Sequence, residues 1–275
     1  MQYRLLAMDM DGTVLNSRKE ITPRTDRAIR AALAAGKEVL FASGRCPSEM
    51  RRELALFPEM HYALCLSGAV IFDVAAGRTL CSVTIAPELV EQILAIARQV
   101  DAMVSVYAGE HVYAEEPKRF RMSYFGCECF SALYEDCAIW VSGPEEAVAM
   151  AGDTVHKINF FCAKPEECRW AGEQLRELPL TFAQGIPNNI EISPGSVDKG
   201  TGLALLCEAS GIPIEEAVAV GDEGNDVAML RAAGLGVAMG NASPAARAAA
   251  DVFTSDCDHD GVAEVIEKYL LGGMS

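Results

Sequence analysis

Short apolar runs that end at a glycine or a small polar residue recur along the chain, with helical periodicity between them. Tyr3 to Met8 is a brief, mainly apolar segment and predicts a strand buried on both faces; it empties into Asp9-Met10-Asp11-Gly12-Thr13. Thr22-Pro23 has the form of an N-cap followed by proline at the first helical position. Ala28, Ile29, Ala32 and Leu33 then repeat at helical spacing, and Gly36 stands where the helix should stop. Lys37 to Ala42 predicts a second buried strand, ending at Ser43-Gly44-Arg45. Pro47 opens a helix running to about Phe57, and His61 to Leu66 predicts a third strand that stops at Ser67-Gly68-Ala69. Three strand, turn and helix units in succession predict a Rossmann-like, doubly wound parallel α/β sheet.

The rhythm changes near residue 80. Pro87 to Val100 is amphipathic, with Leu89, Ile93, Leu94 and Ala97 on one face, and two short strands follow at Met103 to Tyr107 and His111 to Ala114. Ala108-Gly109-Glu110 between them is hairpin-like. A similar order recurs: helix at Glu145 to Ala151, strand at His156 to Cys162, helix at Glu166 to Leu178, then strands at Leu180 to Ala183 and Asn189 to Ser193. Helices alternating with hairpins predict an α+β layer. Residues 81–188 are therefore expected to form an inserted α+β domain, and 1–80 with 189–275 the discontinuous core, with hinges near 78–84 and 186–194. Lys118 to Tyr134 gives no clear pattern.

The first rhythm returns at Lys199. A helix is expected over Gly200 to Ala209 and a strand over Ala217 to Val220, discharging into Gly221-Asp222-Glu223-Gly224-Asn225-Asp226. A helix at Val227 to Ala233, a strand at Gly236 to Ala238, a helix after Ser243-Pro244, a strand at Asp251 to Phe253 and a closing helix from Gly261 to Leu271 complete the chain.

Charge and composition narrow the function. Among 275 residues, 39 Asp and Glu outnumber 23 Lys and Arg, a formal net charge of −16. That balance disfavours nucleic acid and anionic membrane as partners. There is no apolar run of transmembrane length and no leader-like opening, so a soluble, cytoplasmic protein is expected. Ten cysteines scattered through apolar segments, such as Cys65, Cys81, Cys162 and Cys207, suit reduced, buried thiols. Cys127, Cys129 and Cys137 lack the paired spacing and the histidines of a zinc site.

The chemistry starts from the first motif. In parallel sheets ligands sit at the carboxyl ends of strands, and Asp9 and Asp11, two apart before a glycine, can both face a pocket there. Taken alone, such a motif is also an ordinary polar turn. Carboxylates that close repel each other unless a cation is shared or one holds a proton. With Ser43, Lys199, Asp222 and Asp226 the set has the parts phosphoryl transfer needs: a carboxylate nucleophile, a proton donor, a hydroxyl and an ammonium for the phosphoryl oxygens, and hard oxygens for magnesium.

Asp9-Met10-Asp11-Gly12-Thr13, Ser43-Gly44-Arg45, Lys199-Gly200 and Gly221-Asp222-Glu223-Gly224-Asn225-Asp226 resemble the four ordered motifs of the haloacid dehalogenase-like superfamily. The second aspartate points to its phosphatase branch. The insertion, Glu191-Ile192 leading into Lys199, and the ending from Gly211 onward resemble the Cof-type phosphatase subfamily. The resemblance implies that Asp9 is the nucleophile and Asp11 the general acid/base. It implies that Ser43, Gly44 and Asn225 bind the phosphoryl group, and that Lys199 neutralises it and steadies Asp9. It also implies Mg2+ held by the Asp9 carboxylate, the Asp11 main-chain carbonyl and Asp222, with Asp226 direct or through water. Where the subfamily usually has Asn-Gly-Ala, this chain has Ser67-Gly68-Ala69, which shortens or removes any contact made by the asparagine amide.

The expected activity is magnesium-dependent hydrolysis of small phosphorylated metabolites, either sugar phosphates or phosphorylated cofactors, through an aspartyl phosphate. A sugar phosphomutase would use the same aspartate pair and return the phosphoryl group to the sugar. A non-enzymatic phospho-acceptor switch would need neither Asp11 nor an inserted domain. Substrate choice is expected to lie in the inserted cap domain; Asn188 and Asn189, near a hinge, and Lys157, on a cap strand, are candidates for contacting the leaving group, although Lys157 reads first as a solvated strand residue.

Overall fold

The computed structural model describes residues 3–183, 186–195 and 197–273. The chain divides into two units, one of Met1–Gly44, Arg52–Leu80 and Asp198–Ser275, the other of Arg45–Arg51 and Cys81–Val197. In chain order the strands are β1 (Leu5–Met8), β2 (Glu38–Phe41), β3 (Tyr62–Cys65), β4 (Val70–Asp73), β5 (Arg78–Ser82), β6 (Ala102–Ala108), β7 (His111–Glu115), β8 (Ile139–Val141), β9 (Val155–Cys162), β10 (Leu180–Ala183), β11 (Asn189–Pro194), β12 (Ala217–Gly221), β13 (Leu235–Ala238) and β14 (Val252–Phe253).

The first unit is built on a parallel five-stranded sheet in the order β14-β13-β12-β1-β2. All residues of β1 and β12 are buried, which is why these strands are continuous apolar runs rather than alternating ones. β1 lies between β12 and β2, with Met8 paired to Val220 on one side and Phe41 on the other. The carboxyl ends of three strands therefore meet at one edge. The helices start where expected: Thr22 caps Pro23–Ala34 by accepting the Thr25 N–H, and Ser243 caps Pro244–Ala249 by accepting that of Ala246.

The third strand departs from the expected repeat. β3 makes a parallel bridge to the end of β2 at Ala42 and Leu64, but it then turns back through Leu66–Gly68 into antiparallel β4. It thus belongs to a three-stranded sheet, β3-β4-β5, with a single 3-10 turn rather than an α-helix between β3 and β4. The closing segment also divides, into an α-helix at Gly261–Val265 and a π-helical turn at Ile266–Leu270.

The second unit carries a six-stranded sheet in the order β10-β11-β9-β6-β7-β8, antiparallel except for the β7 and β8 pair. Along β9, Ile158, Phe160 and Cys162 join a core that includes Val90, Ile93 and Leu94 of helix Pro87–Ala97. Lys157 and Asn159 alternate onto the opposite face. The stretch without a pattern becomes short 3-10 turns, a helix at Ser131–Cys137 and then β8. Residues 189–197, expected in the core, belong to this second unit, because β11 pairs with both β9 and β10. Cys81 and Cys129 are exposed rather than buried, and all ten cysteines are free thiols.

Candidate active site

Asp9 is the first residue beyond β1, and its N–H still donates to Val220 O at 3.0 Å, so the strand pairing carries the carboxylate to the sheet edge in a fixed position. Lys199 Nζ lies 2.5 Å from Asp9 Oδ1 and 2.7 Å from Asp226 Oδ1, and the lysine has no exposed surface. Local sequence sets that placement. Asp198 caps helix Lys199–Ser210, accepting the Thr201 N–H at 2.7 Å, which makes Lys199 the first helical residue. A Cβ on Gly200 would fall 2.6 Å from Ala228 O, so glycine is what lets this helix pack directly against helix Val227–Ala232.

Asp226 also ties its own loop together, since its Oδ2 accepts the N–H groups of Asp222 at 2.9 Å and Glu223 at 3.0 Å. Asp222 receives the Thr13 hydroxyl on Oδ1 at 3.0 Å. Gly12 has φ +85°, and a Cβ there would lie 2.5 Å from Asp222 Oδ2. The first and fourth motifs therefore touch through a position only glycine can fill.

Asp9, Asp222 and Asp226 are all buried and each offers a carboxylate oxygen within 4.8 Å of the others. Burial pushes Asp9 up to about 7, against the pull of the Lys199 charge and with the Asp226 charge adding to the rise. Burial likewise pushes Asp222 up to about 6, opposed by its Thr13 hydrogen bond. For Lys199 burial acts downward, yet the Asp9 and Asp226 carboxylates hold it above the ordinary lysine range, so it stays a cation. Three acids facing one ammonium leave surplus negative charge, and the donors are all hard oxygens. That set fits a divalent cation of the magnesium type.

The other predicted residues are placed less tightly. Asp11 is half-exposed, with Oδ1 2.8 Å from Lys19 Nζ. Ser43 is buried just past β2, its N–H donating to Leu64 O and its carbonyl accepting from Ser67, and Gly44 ends this part of the first unit. Asn225 is exposed in the 3-10 turn Gly224–Asp226.

In the second unit Lys157 is not solvated: it is buried, 3.2 Å from Glu191 Oε2 and 4.3 Å above the Tyr107 ring. Asn189 is also buried, and its amide donates to Phe160 O. Among the described residues the only acidic or thiol group with ligand spacing is the aspartate trio, so the cysteines near 127–137 form no such set. Sequence reasoning missed Lys19 and Asn241, which donates to Asp222 Oδ2 at 3.1 Å. Neither carries a motif or a periodic signal.

The chain matches the haloacid dehalogenase-like hydrolase family over residues 6–266. It is 30% identical to phosphatase YwpJ of Bacillus subtilis, over 98% of this chain and 100% of that protein. It is 27% identical to pyridoxal phosphate phosphatase YbhA of Escherichia coli, again over 98% and 100%. A solved haloacid dehalogenase-like hydrolase from Bacteroides thetaiotaomicron superposes with a TM-score of 0.83 at 26% identity, over 97% of this chain and 99% of that one. With Asp9, Lys199, Asp222 and Asp226 gathered at the carboxyl ends of the strands, the chain belongs to the haloacid dehalogenase-like hydrolases and is a phosphatase.

Proposed function

We propose that the chain hydrolyses phosphate monoesters of sugars or phosphorylated cofactors through an aspartyl phosphate on Asp9, with Mg2+ as its cofactor. The observation that carries this reading is the Asp9 carboxylate clamped by buried Lys199 inside a cluster of three acids. An Asp9 oxygen attacks phosphorus, the ester P–O bond breaks, and Asp11 gives its proton to the departing alcohol oxygen. Asp11 then takes a proton from water as that water attacks the aspartyl phosphate, and inorganic phosphate and free Asp9 result. Lys199 offsets the negative charge that Asp9 and the phosphoryl oxygens bring together, and Ser43, Gly44 and Asn225 hold those oxygens. The residues that would hold magnesium are Asp9, Asp222 and the Asp11 carbonyl, with Asp226 direct or through water, and its charge would neutralise the transferring phosphoryl group.

The name of the E. coli relative supports phosphorylated cofactors as one substrate class. A cytoplasmic setting accords with the acidic composition and with helices too short or too polar to cross a membrane among the described residues. The test is phosphate release from a panel of phosphorylated metabolites. Release that requires Mg2+ and disappears in Asp9→Asn is expected; metal-independent release that survives the substitution overturns the reading. Transfer to a second hydroxyl without phosphate release would point to the mutase instead.

A further inference from the structure

Asn241 stands in the turn after β13, exposed to solvent, yet its amide is spent inside the protein. Nδ2 donates to Gly12 O at 2.9 Å and to Asp222 Oδ2 at 3.1 Å, while Oδ1 accepts the Cys257 N–H at 3.0 Å. These partners lie on the loops after β1, β12 and β14. They also fix the amide's orientation. Reversed, it would set an oxygen against a carboxylate and a carbonyl, and an NH2 against an N–H.

The consequence falls on Asp222. Thr13 holds one of its oxygens and Asn241 the other, so the carboxylate plane is pinned from both sides. The same Asn241 nitrogen holds the Gly12 carbonyl, one residue beyond Asp11, whose own carbonyl is the other loop donor in the proposed cation site. Groups that orient a metal ligand tune its affinity even though they never touch the ion.

We propose that Asn241 is a positioning residue that locks the Asp222 carboxylate and the Gly12 peptide into the arrangement a divalent cation requires. The inference rests on the proposed magnesium site. A residue that merely tied three surface loops together would alter thermal stability and leave cation affinity alone.

The experiment is calorimetric titration of Mg2+ into the 275-residue chain without substrate, in the wild type, Asn241→Ala and Asn241→Ser, alongside the melting temperature of each metal-free protein. Mg2+ affinity is expected to fall about tenfold in both variants, the lower end of the usual range because the residue is exposed, with little change in metal-free melting. The serine variant keeps a polar side chain and provides the reading if the alanine variant does not fold. Wild-type affinity in a folded Asn241 variant overturns this inference and leaves the magnesium site standing. No Mg2+ binding by the wild-type protein overturns both.

Discussion

Lys199 and Asp9 are 190 positions apart in sequence, and their charged atoms are 2.5 Å apart in the structure. Asp226, with no exposed surface, is the lysine's second carboxylate partner at 2.7 Å. A buried charge whose partner is removed is costly, typically about 3–5 kcal/mol. Lys199→Ala leaves two buried carboxylates unpaired, so urea denaturation should register a loss of that order. Phosphate release should also fall by about 100-fold or more, as when a preorganised charge-stabilising group is deleted.

Asp11→Asn should separate chemistry from stability. The Asp11 and Lys19 pair is solvent-exposed, with side chains 41% and 65% accessible, and exposed pairs contribute about 0–1 kcal/mol. The denaturation midpoint should scarcely move. Turnover should drop by about 10²- to 10⁴-fold, the usual effect of losing a general acid/base. Mg2+ affinity should be retained, because the ligand proposed at this position is the main-chain carbonyl.

The metal-free protein should respond to pH in a defined direction. Burial raises Asp9 to about 7 and Asp222 to about 6, from a model-peptide value of 3.8. In that window the folded state keeps protons that the unfolded chain has released. The stabilisation from these groups is complete below about pH 4 and is lost as pH rises through 6 and 7. A bound cation must displace those protons, so its benefit runs the opposite way. The Mg2+-induced rise in melting temperature should be small near pH 5 and large near pH 8. An equal rise at both would refute this.

Ser67 occupies the left-handed region, with φ 54° and ψ 33°, and its N–H donates to Ser43 O at 2.9 Å. Asparagine tolerates that conformation better than serine. Ser67→Asn, the residue usual in this subfamily, should raise stability by up to about 1 kcal/mol in urea denaturation.

Much of the candidate site was legible because it sits at the ends of short apolar runs. The segments before Asp9, Ser43 and Asp222 announce buried strands, and the ligand end of a parallel sheet follows from their polarity pattern. Asn241 was not legible, since its importance lies in three partners remote in sequence. The fate of β3 was hidden for a related reason: an apolar run of four residues specifies a strand without naming its neighbour. β11 misled in the same way. Asn189–Pro194 has a strand's composition, but only its pairing with β9 and β10 assigns it to the second unit. Lys157 looked solvated because lysine usually is, and Glu191 with the Tyr107 ring supplies the partners that permit its burial.

The chain passes between its two units at 44/45, 51/52, 80/81 and 197/198. Arg45–Arg51 is thus a small outpost of the second unit, with Cys46 and Met50 fully buried, Glu49 capping the Cys46 N–H, and Ser48 bonded to Glu110 O. Module exchange between relatives cannot treat residues 81–197 as a cassette. Grafting that span alone would pair a foreign sheet with a native seven-residue patch cut for another surface, whereas carrying both pieces across preserves the fit.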